Sequence, residues 1–546
     1  MSPRSEQSKH SIKSKPTTGS VDQIFVIRLA VAAVLLAIAV IVSMPTMARI
    51  VLIILSLAAA AYDLVLESMD AVLDGKYFSD PLLILAIALI ALLFGFGAEG
   101  AGLVLVYQAT KLCRRLAEKI TRDSGHSLLK RASEETVQQM EETLADSSAL
   151  KLSVQDDMTR ASTLVLRGAM VFAVLYAILL PLLSGFGYRV SVHRGLMILA
   201  ACIPGSVVAA LPMTGLIGLC HAAGRGGAFS KAEQLEKLGD VNVAIFDKDG
   251  VFSAGEPQVL GVQSAIDRLD DSAFLNMAAH ASYYSEQPFA KAIKSYADPE
   301  YQLDVISDFE DIPGGVKLMI GPSPIILAKA ESFRELGIVI PEDPSDKGQV
   351  YYMTLAGRYI GKILLSDEVD PNSDGIVGDL KSMGVKRTVL LSDGTTEEAQ
   401  RLGNLIGVTE TYSECDTERK LKLIDDLKQG PRNQVLFLYA NGVETHTAAD
   451  LDLRISHKSK YADAVIQPGS QENLPFTVLI SRRMKDVAVK NAVFVMVMKA
   501  IMIFLSILGY SQIWFVLFID SAAMLATILN AIRVTQDSVL NRILKR

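Results

Sequence analysis

The chain has 546 residues, 50% of them hydrophobic and 21% charged, with a formal net charge of −7. That mixture excludes both a wholly soluble globule and a bare membrane bundle, and the acidic balance argues against nucleic acid as a partner. The 4 cysteines (Cys113, Cys202, Cys220 and Cys415) stand without CxxC spacing, which argues against a disulfide framework or a zinc motif.

Residues 1–22 read as a polar, disordered tail that carries Lys9, Lys13 and Lys15. Apolar runs follow at about 24–43, 48–66, 82–94 and 98–112, then at 166–183 and 195–221, and finally at 490–508 and 512–532. Most approach the roughly 20 residues a helix needs to cross a bilayer, so about eight transmembrane helices are expected in a lipid bilayer. The first run is too long for a signal peptide, and a second span follows almost at once. Lys111 to Arg131 contains seven Lys or Arg, and Asn541 to Arg546 three more. Short basic segments stay cytoplasmic. Both termini and the main soluble region are therefore expected to face the cytoplasm of a cell-membrane protein.

The expected domains are the tail at 1–22, helices 1–4 at 23–116, a short cytoplasmic segment at 117–162 and helices 5–6 at 163–225. An α/β domain takes 226–256 and 366–489, interrupted by a smaller α+β insert at 257–365. Helices 7–8 and a tail close the chain at 490–546.

Within the α/β domain, Val243-Ala-Ile-Phe-Asp247 reads as a fully buried strand of a parallel sheet. It delivers Asp247 to its carboxyl end, where open α/β sheets do their chemistry. A carboxylate there can attack a phosphoryl group and become an aspartyl phosphate. Asp249 can place a proton donor beside the leaving group, and Gly250 permits the turn between strand and helix. Arg387-Thr-Val-Leu-Leu-Ser392 and Gln434-Val-Leu-Phe-Leu-Tyr-Ala440 resemble the same strand type. Helical spacing over 396–406 and 418–427 between them predicts a doubly wound parallel sheet.

From residue 48 onward the chain resembles the P-type ATPases, closest to the heavy-metal type IB branch, whose phosphorylation domain belongs to the haloacid dehalogenase superfamily. The likeness runs through Arg225-Gly-Gly-Ala-Phe-Ser-Lys-Ala-Glu-Gln-Leu-Glu-Lys-Leu-Gly-Asp240 and Ser285-Glu-Gln-Pro-Phe-Ala-Lys-Ala-Ile293. It continues through Lys490, Asn491, Lys499, Trp514, Asp520, Asn530 and Arg533 in the last two helices. The resemblance implies a polytopic α-helical membrane protein with a cytoplasmic haloacid dehalogenase-like domain. It implies ATP and Mg²⁺ as cofactors, and a cation as cargo. Asp247, Lys248, Asp249, Ser392 and Lys420 match its catalytic positions. Glu286, Gln287, Pro288, Gly314, Gly315 and Asp367 match nucleotide-binding positions. Asp247, Asp249, Asn441 and Glu444 stand at the Mg²⁺ site, where both aspartates of the family's GDGxND are replaced and Glu444 is the substitute, and Glu99, Pro204, Lys499 and Asp520 stand on the membrane ion path.

The departures are as informative. The family's DKTGT reads Asp247-Lys248-Asp249-Gly250-Val251, a form that looks like soluble phosphatases in which the second Asp is acid and then base. TGD reads Ser392-Asp393-Gly394, and GDGxND reads Ala440-Asn441-Gly442-Val443-Glu444-Thr445. The DxxR element reads Asp367-Glu-Val-Asp370. Pro204 stands between Ile203 and Gly205 where the family has a Cys-Pro-Cys, and Cys202 is one residue off. Segment 117–162 is too short for an actuator domain, and no TGE occurs in the chain. The expected function is thus a divergent type IB-like cation ATPase impaired in coupled transport. Two alternatives stand beside it: a pseudo-pump that regulates or assembles with a partner protein, and a membrane-anchored phosphohydrolase using Asp247 and Asp249.

Overall fold

The computed structural model describes residues 18–535 apart from 76, 78, 186, 204, 253–256, 298–303, 305, 342–347, 366–372, 374 and 431. Pro204, Asp367 and Asp370 therefore lie outside the described residues, as does most of the N-terminal tail. The chain divides into two compact units. One comprises Met1–His126, Leu150–Ile217 and Met484–Gln536, the other Ser127–Ala149, Gly218–Arg483 and Asp537–Arg546.

The helices in chain order up to the first strand are α1 (Thr18–Ile41), α2 (Thr46–Leu73), α3 (Asp80–Leu93), α4 (Gly97–Leu129), α5 (Glu134–Ala145), α6 (Ser153–Ser184), α7 (Tyr188–Ala201) and α8 (Gly205–Ala223). The last two are α16 (Leu474–Leu508) and α17 (Ile513–Asn530). Among the described residues, five helical stretches are long and apolar enough to cross a membrane: Gln23–Ile41, Thr46–Leu73, Ser153–Leu183, Gln471–Leu508 and Ile513–Thr535. The expected eight are not borne out. The 82–94 run is the 14-residue α3, too short alone, and the 98–112 run is the head of a 33-residue α4 that continues into charged sequence. The 195–221 run is two helices, because α7 stops at Cys202 and α8 starts at Gly205.

Several polar groups in the first unit, which carries the long apolar helices, are matched to one another, as a low-dielectric surround favours. Arg28 grips Asp63 at 2.6 and 2.8 Å, joining α1 to α2. Asn530 donates to Asn491 Oδ1 at 2.7 Å, and Asn491 donates to the Thr527 carbonyl at 3.2 Å. That chain explains why both asparagines belong to one pattern: together they pin α16 to α17.

In the second unit, termed the catalytic unit after its expected role, the elements are β1 (Gly227–Phe229), α9 (Ala232–Leu238), β2 (Val243–Asp247), β3 (Val259–Ser264), α10 (Asp271–Ala281), α11 (Pro288–Ala297), β4 (Ile306–Ile312), β5 (Gly315–Ile320), β6 (Ser323–Ala328), α12 (Ala330–Glu335), β7 (Gln349–Leu355) and β8 (Arg358–Leu365). They continue as α13 (Ile376–Ser382), β9 (Arg387–Leu391), α14 (Thr396–Ile406), β10 (Glu410–Tyr412), α15 (Thr417–Lys428), β11 (Val435–Tyr439), β12 (Leu451–Ile455) and β13 (Ala464–Ile466).

A seven-stranded sheet runs β1-β13-β12-β11-β2-β9-β10, parallel throughout except for edge strand β1. This is the doubly wound sheet expected. β2 lies near its middle, buried along its whole length, so its hydrophobic run needs no alternation. The insert forms a second, antiparallel sheet, β3-β8-β7-β6-β5-β4. Helix α5 packs against β1. Ser133 caps it by accepting from the Thr136 N–H at 3.3 Å, and Glu135 meets His457 at 2.8 Å. It is thus a separate helix within the unit that holds Gly218–Arg483.

Candidate active site

The sheet's parallel register sets the site. β2 pairs with β9 and β11, so Asp247 emerges beside Leu391, with Ser392 next along and Ala440 on the other neighbour. The Lys248 N–H donates to the Leu391 carbonyl at 2.9 Å, extending the ladder by one rung past Asp247. The chain then turns at Gly250, whose φ is +74°. A Cβ there would stand 2.4 Å from that of Ala440, so only glycine fits.

Helix α15 supplies the partner. Asp416 caps it by accepting from the Arg419 N–H at 2.8 Å. Its buried face is Lys420, Ile424 and Leu427, and the two apolar members pack on Val243, Val435 and Phe437. Lys420 is therefore not on a solvated face. Its Nζ donates to both oxygens of Asp247 at 2.8 and 3.0 Å, with the Asp247 side chain only 2% exposed. Burial pushes the Asp247 carboxyl above the ordinary range, while the Lys420 hydrogen bond pulls it back.

The other catalytic candidates gather around this pair. Ser392 is fully buried and its Oγ accepts from the Gly394 N–H at 3.1 Å. A Cβ placed on Gly394 would lie 3.4 Å from Ser392 Oγ and 3.5 Å from Lys248 Nζ, so hydroxyl and ammonium converge on one loop. Lys248 also approaches Asp393 at 3.8 Å. Asp249 shares a hydrogen bond with Asp393. Burial raises its pKa first and that second carboxylate raises it further, against Lys248 and Lys420, which lower it.

A carboxyl raised on folding adds stability below its ordinary pKa and loses it as pH climbs through the folded value. Asp249→Asn is therefore expected to raise Tm at about pH 7.5, by roughly 2–4 °C per kcal/mol relieved, with the gain fading toward about pH 4. Thermal scans of both proteins across that range measure it. A gain that grows as pH falls would contradict the assignment.

The proposed Mg²⁺ ligands do not make a shell. Asp247 has both oxygens on Lys420, while Asn441 and Glu444 are solvent-exposed. Among the described residues no group of three or more His, Cys, Asp or Glu could hold a metal. Mg²⁺ demands near-octahedral hard oxygens, and this arrangement does not offer them.

The two elements of the insert expected to bind nucleotide do meet. Gln287 Nε2 donates to Asp311 Oδ1 at 3.0 Å and to the Gly315 carbonyl at 3.2 Å, and Pro288 opens α11. Glu286 points outward, 84% exposed, to Lys291 at 3.3 Å. Gly314 makes the turn between β4 and β5 at φ +70°. A Cβ on Gly315 would come within 2.2 Å of that of Ala328, so strand packing accounts for this second glycine. Between Gly314 and the Asp393-Gly394 loop opens a cleft of about 280 Å³.

In the membrane unit, Glu99 meets His193 Nε2 at 2.9 and 3.0 Å and accepts from the Ile513 N–H at 3.0 Å. Lys499 meets Asp520 at 2.7 Å and donates to the Ile203 carbonyl at 2.6 Å, where the helix has broken. Three residues at these places were not singled out in the sequence: Lys329, Glu398 and His193. Only Glu398 had a local signal, the Thr-x-x-Glu spacing after Thr395 that marks a helix start.

An aspartate at the end of a central parallel strand, held by a buried lysine, is the arrangement expected of a haloacid dehalogenase-like domain. A family model described as haloacid dehalogenase-like hydrolase matches residues 241–438. The cadmium, zinc and cobalt-transporting ATPase of Bacillus subtilis (strain 168) is 26% identical over 415 residues, 73% of this chain and 58% of that protein. The zinc-transporting ATPase of Synechocystis sp. is 25% identical over 74% of this chain and 57% of its own length. The crystal structure of a zinc-transporting PIB-type ATPase in the E2.Pi state superposes with a TM-score of 0.64 at 17% identity, covering 94% of this chain and 100% of that one. The chain thus spans less than two thirds of these curated relatives' length. In sequence it is similar to heavy-metal-transporting ATPases, as its motifs suggested, and in fold to a zinc-transporting PIB-type ATPase.

Proposed function

We propose that this chain is a divergent type IB-like cation ATPase in which Asp247 accepts the phosphoryl group and coupled transport is impaired. One observation carries the reading: a buried ammonium, Lys420, aimed at both oxygens of a carboxylate at the open end of the sheet. For transfer, one Asp247 oxygen leaves Lys420 and forms the P–O bond as the donor's P–O bond breaks. Lys420, Lys248 and the Ser392 hydroxyl then surround the charge spread over the phosphoryl oxygens. ATP is the donor expected from the relatives. The catalytic unit and both termini face the cytoplasm, and the cargo class is the heavy-metal cation named for those relatives. Impairment follows from segment 117–162, where the 12-residue α5 and the ends of α4 and α6 stand in the actuator's place.

A phosphohydrolase reading is favoured by Asp249, whose raised carboxyl suits a proton donor and then a base for water. A pseudo-pump is favoured by the exposure of Asn441 and Glu444. The purified protein incubated with γ-labelled ATP, beside Asp247→Asn, separates the three. Acid-stable, hydroxylamine-labile label that the variant loses supports the acceptor role. Phosphate release without trapped label, converted to trapped label by Asp249→Thr, indicates the hydrolase. Neither label nor release leaves the pseudo-pump.

A further inference from the structure

The cleft between the insert and the Ser392 loop has a charge pattern that opposes the donor expected for it. Its lining includes Glu331, Glu335, Asp393, Glu398 and Glu414 against Lys329. A nucleoside triphosphate carries several negative charges, and like charges in a confined cleft repel strongly. The volume, about 280 Å³, also falls just below the roughly 300–1,000 Å³ of ordinary small-molecule sites.

Lys329 is committed elsewhere. Its Nζ donates to Glu398 Oε1 at 3.2 Å, and the two side chains are only 27% and 18% exposed. The lysine is positioned from its own side, because its backbone N–H donates to the Gly314 carbonyl at 3.0 Å. One turn further along α14, Arg401 Nη1 donates to the Gly348 carbonyl at 3.1 Å. A single face of α14 thus fastens the insert at two points. Glu398 also lies directly over the phosphoryl-binding loop, since a Cβ on Gly394 would stand 2.6 Å from its Oε2. Its charge is felt across the cleft: the Tyr351 hydroxyl is pushed up by burial, with the Glu398 and Glu331 carboxylates adding to the shift.

We propose that Glu398 is the specificity-determining residue of this cleft, a carboxylate that holds Lys329 away from incoming phosphates and so weakens the binding of nucleoside triphosphates. This rests on reading the cleft as the donor site for Asp247. With Glu398 neutral, Lys329 swings free at the rim, next to Gly314, as the cation a polyphosphate needs. The latch is then a gate: something that draws off Glu398, or a donor smaller and less charged than a triphosphate, suits the resting protein better.

The test is equilibrium binding of trinitrophenyl-ATP to the full-length detergent-solubilised protein, needing no turnover. Glu398→Gln is expected to tighten binding about tenfold, the equivalent of one charge-assisted hydrogen bond. Glu398→Ala, which keeps helix propensity, gives the same direction should the amide find a new bond. Adding Lys329→Met to either variant returns affinity to within about twofold of the original. Binding unchanged in both Glu398 variants overturns the proposal, as does a gain that survives Lys329→Met. Because the readout is independent of Asp247, loss of phosphorylation at that residue leaves the outcome intact. A labelled Asp247 with unchanged Glu398 variants sinks the gate alone.

Discussion

Lys420→Met is expected to destabilise the catalytic unit by about 3–5 kcal/mol, the range for removing one partner of a buried ion pair. Asp247 is buried and both its oxygens accept from that one ammonium. Methionine fills much of the same space, so packing against Ile424 and Leu427 survives and the electrostatic loss dominates. The carboxyl already sits above its ordinary range because of burial. Without Lys420 it rises further and becomes protonated, which removes the nucleophile as well. Adding Asp247→Asn should recover most of the stability, since a neutral amide needs no counter-charge, while restoring no phosphoryl transfer. Chemical unfolding of the three variants, with phosphate labelling alongside, measures both halves. A Lys420→Met protein within about 1 kcal/mol of the original would show Asp247 already protonated, and the acceptor reading would fall with it.

That pair also shows how far the sequence could be read. β2 was legible because four consecutive apolar residues ending in Asp suit a strand buried on both faces of a parallel sheet. Helix α14 was legible to the residue, Thr396–Ile406, because its apolar spacing is strongly one-sided and Thr395 caps it. Lys420 was placed by its motif, but its burial was not foreseen. Periodicity assigns a residue to a face and cannot see a carboxylate 173 positions away that needs a charge. β12 and β13 escaped because they are short and follow loops whose polar residues mask them. The eight-span count is not confirmed for a related reason. Hydropathy adds up along a run, and it registered neither the break after Cys202 nor the charged continuation of α4. Lys329 and Glu398 lie on separate sheets' neighbours, and a cross-domain ion pair leaves no trace in spacing.

In the membrane unit the largest effect is expected from Lys499→Met, at about 3–5 kcal/mol, and a smaller one from Asp520→Asn. The asymmetry comes from what each removal strands. The two side chains are 14% and 9% exposed and meet at 2.7 Å. Lys499 also donates to the Ile203 carbonyl at 2.6 Å and to the Ala201 carbonyl at 3.5 Å. Those carbonyls are available because the run broke between α7 and α8, leaving no helical N–H to take them. Removing Lys499 therefore leaves a carboxylate without its cation and loosens the acceptors at the break. Removing Asp520's charge leaves an ammonium that still has two carbonyl oxygens. The double variant should cost less than the two singles added, since each half of the pair is the reason the other is expensive. Thermal unfolding in detergent ranks the four proteins. If Asp520→Asn instead proves the costlier change, the ammonium depends on that carboxylate more than on the broken helix, and the carbonyls are bystanders. A cavity of about 90 Å³ beside the pair, lined by Asp80, Tyr107, Ile203 and Asp520, gives the same variants a second use. Cation-dependent stabilisation that vanishes with Asp520→Asn would make this carboxylate a ligand for cargo, whereas stabilisation that persists would confine it to neutralising Lys499.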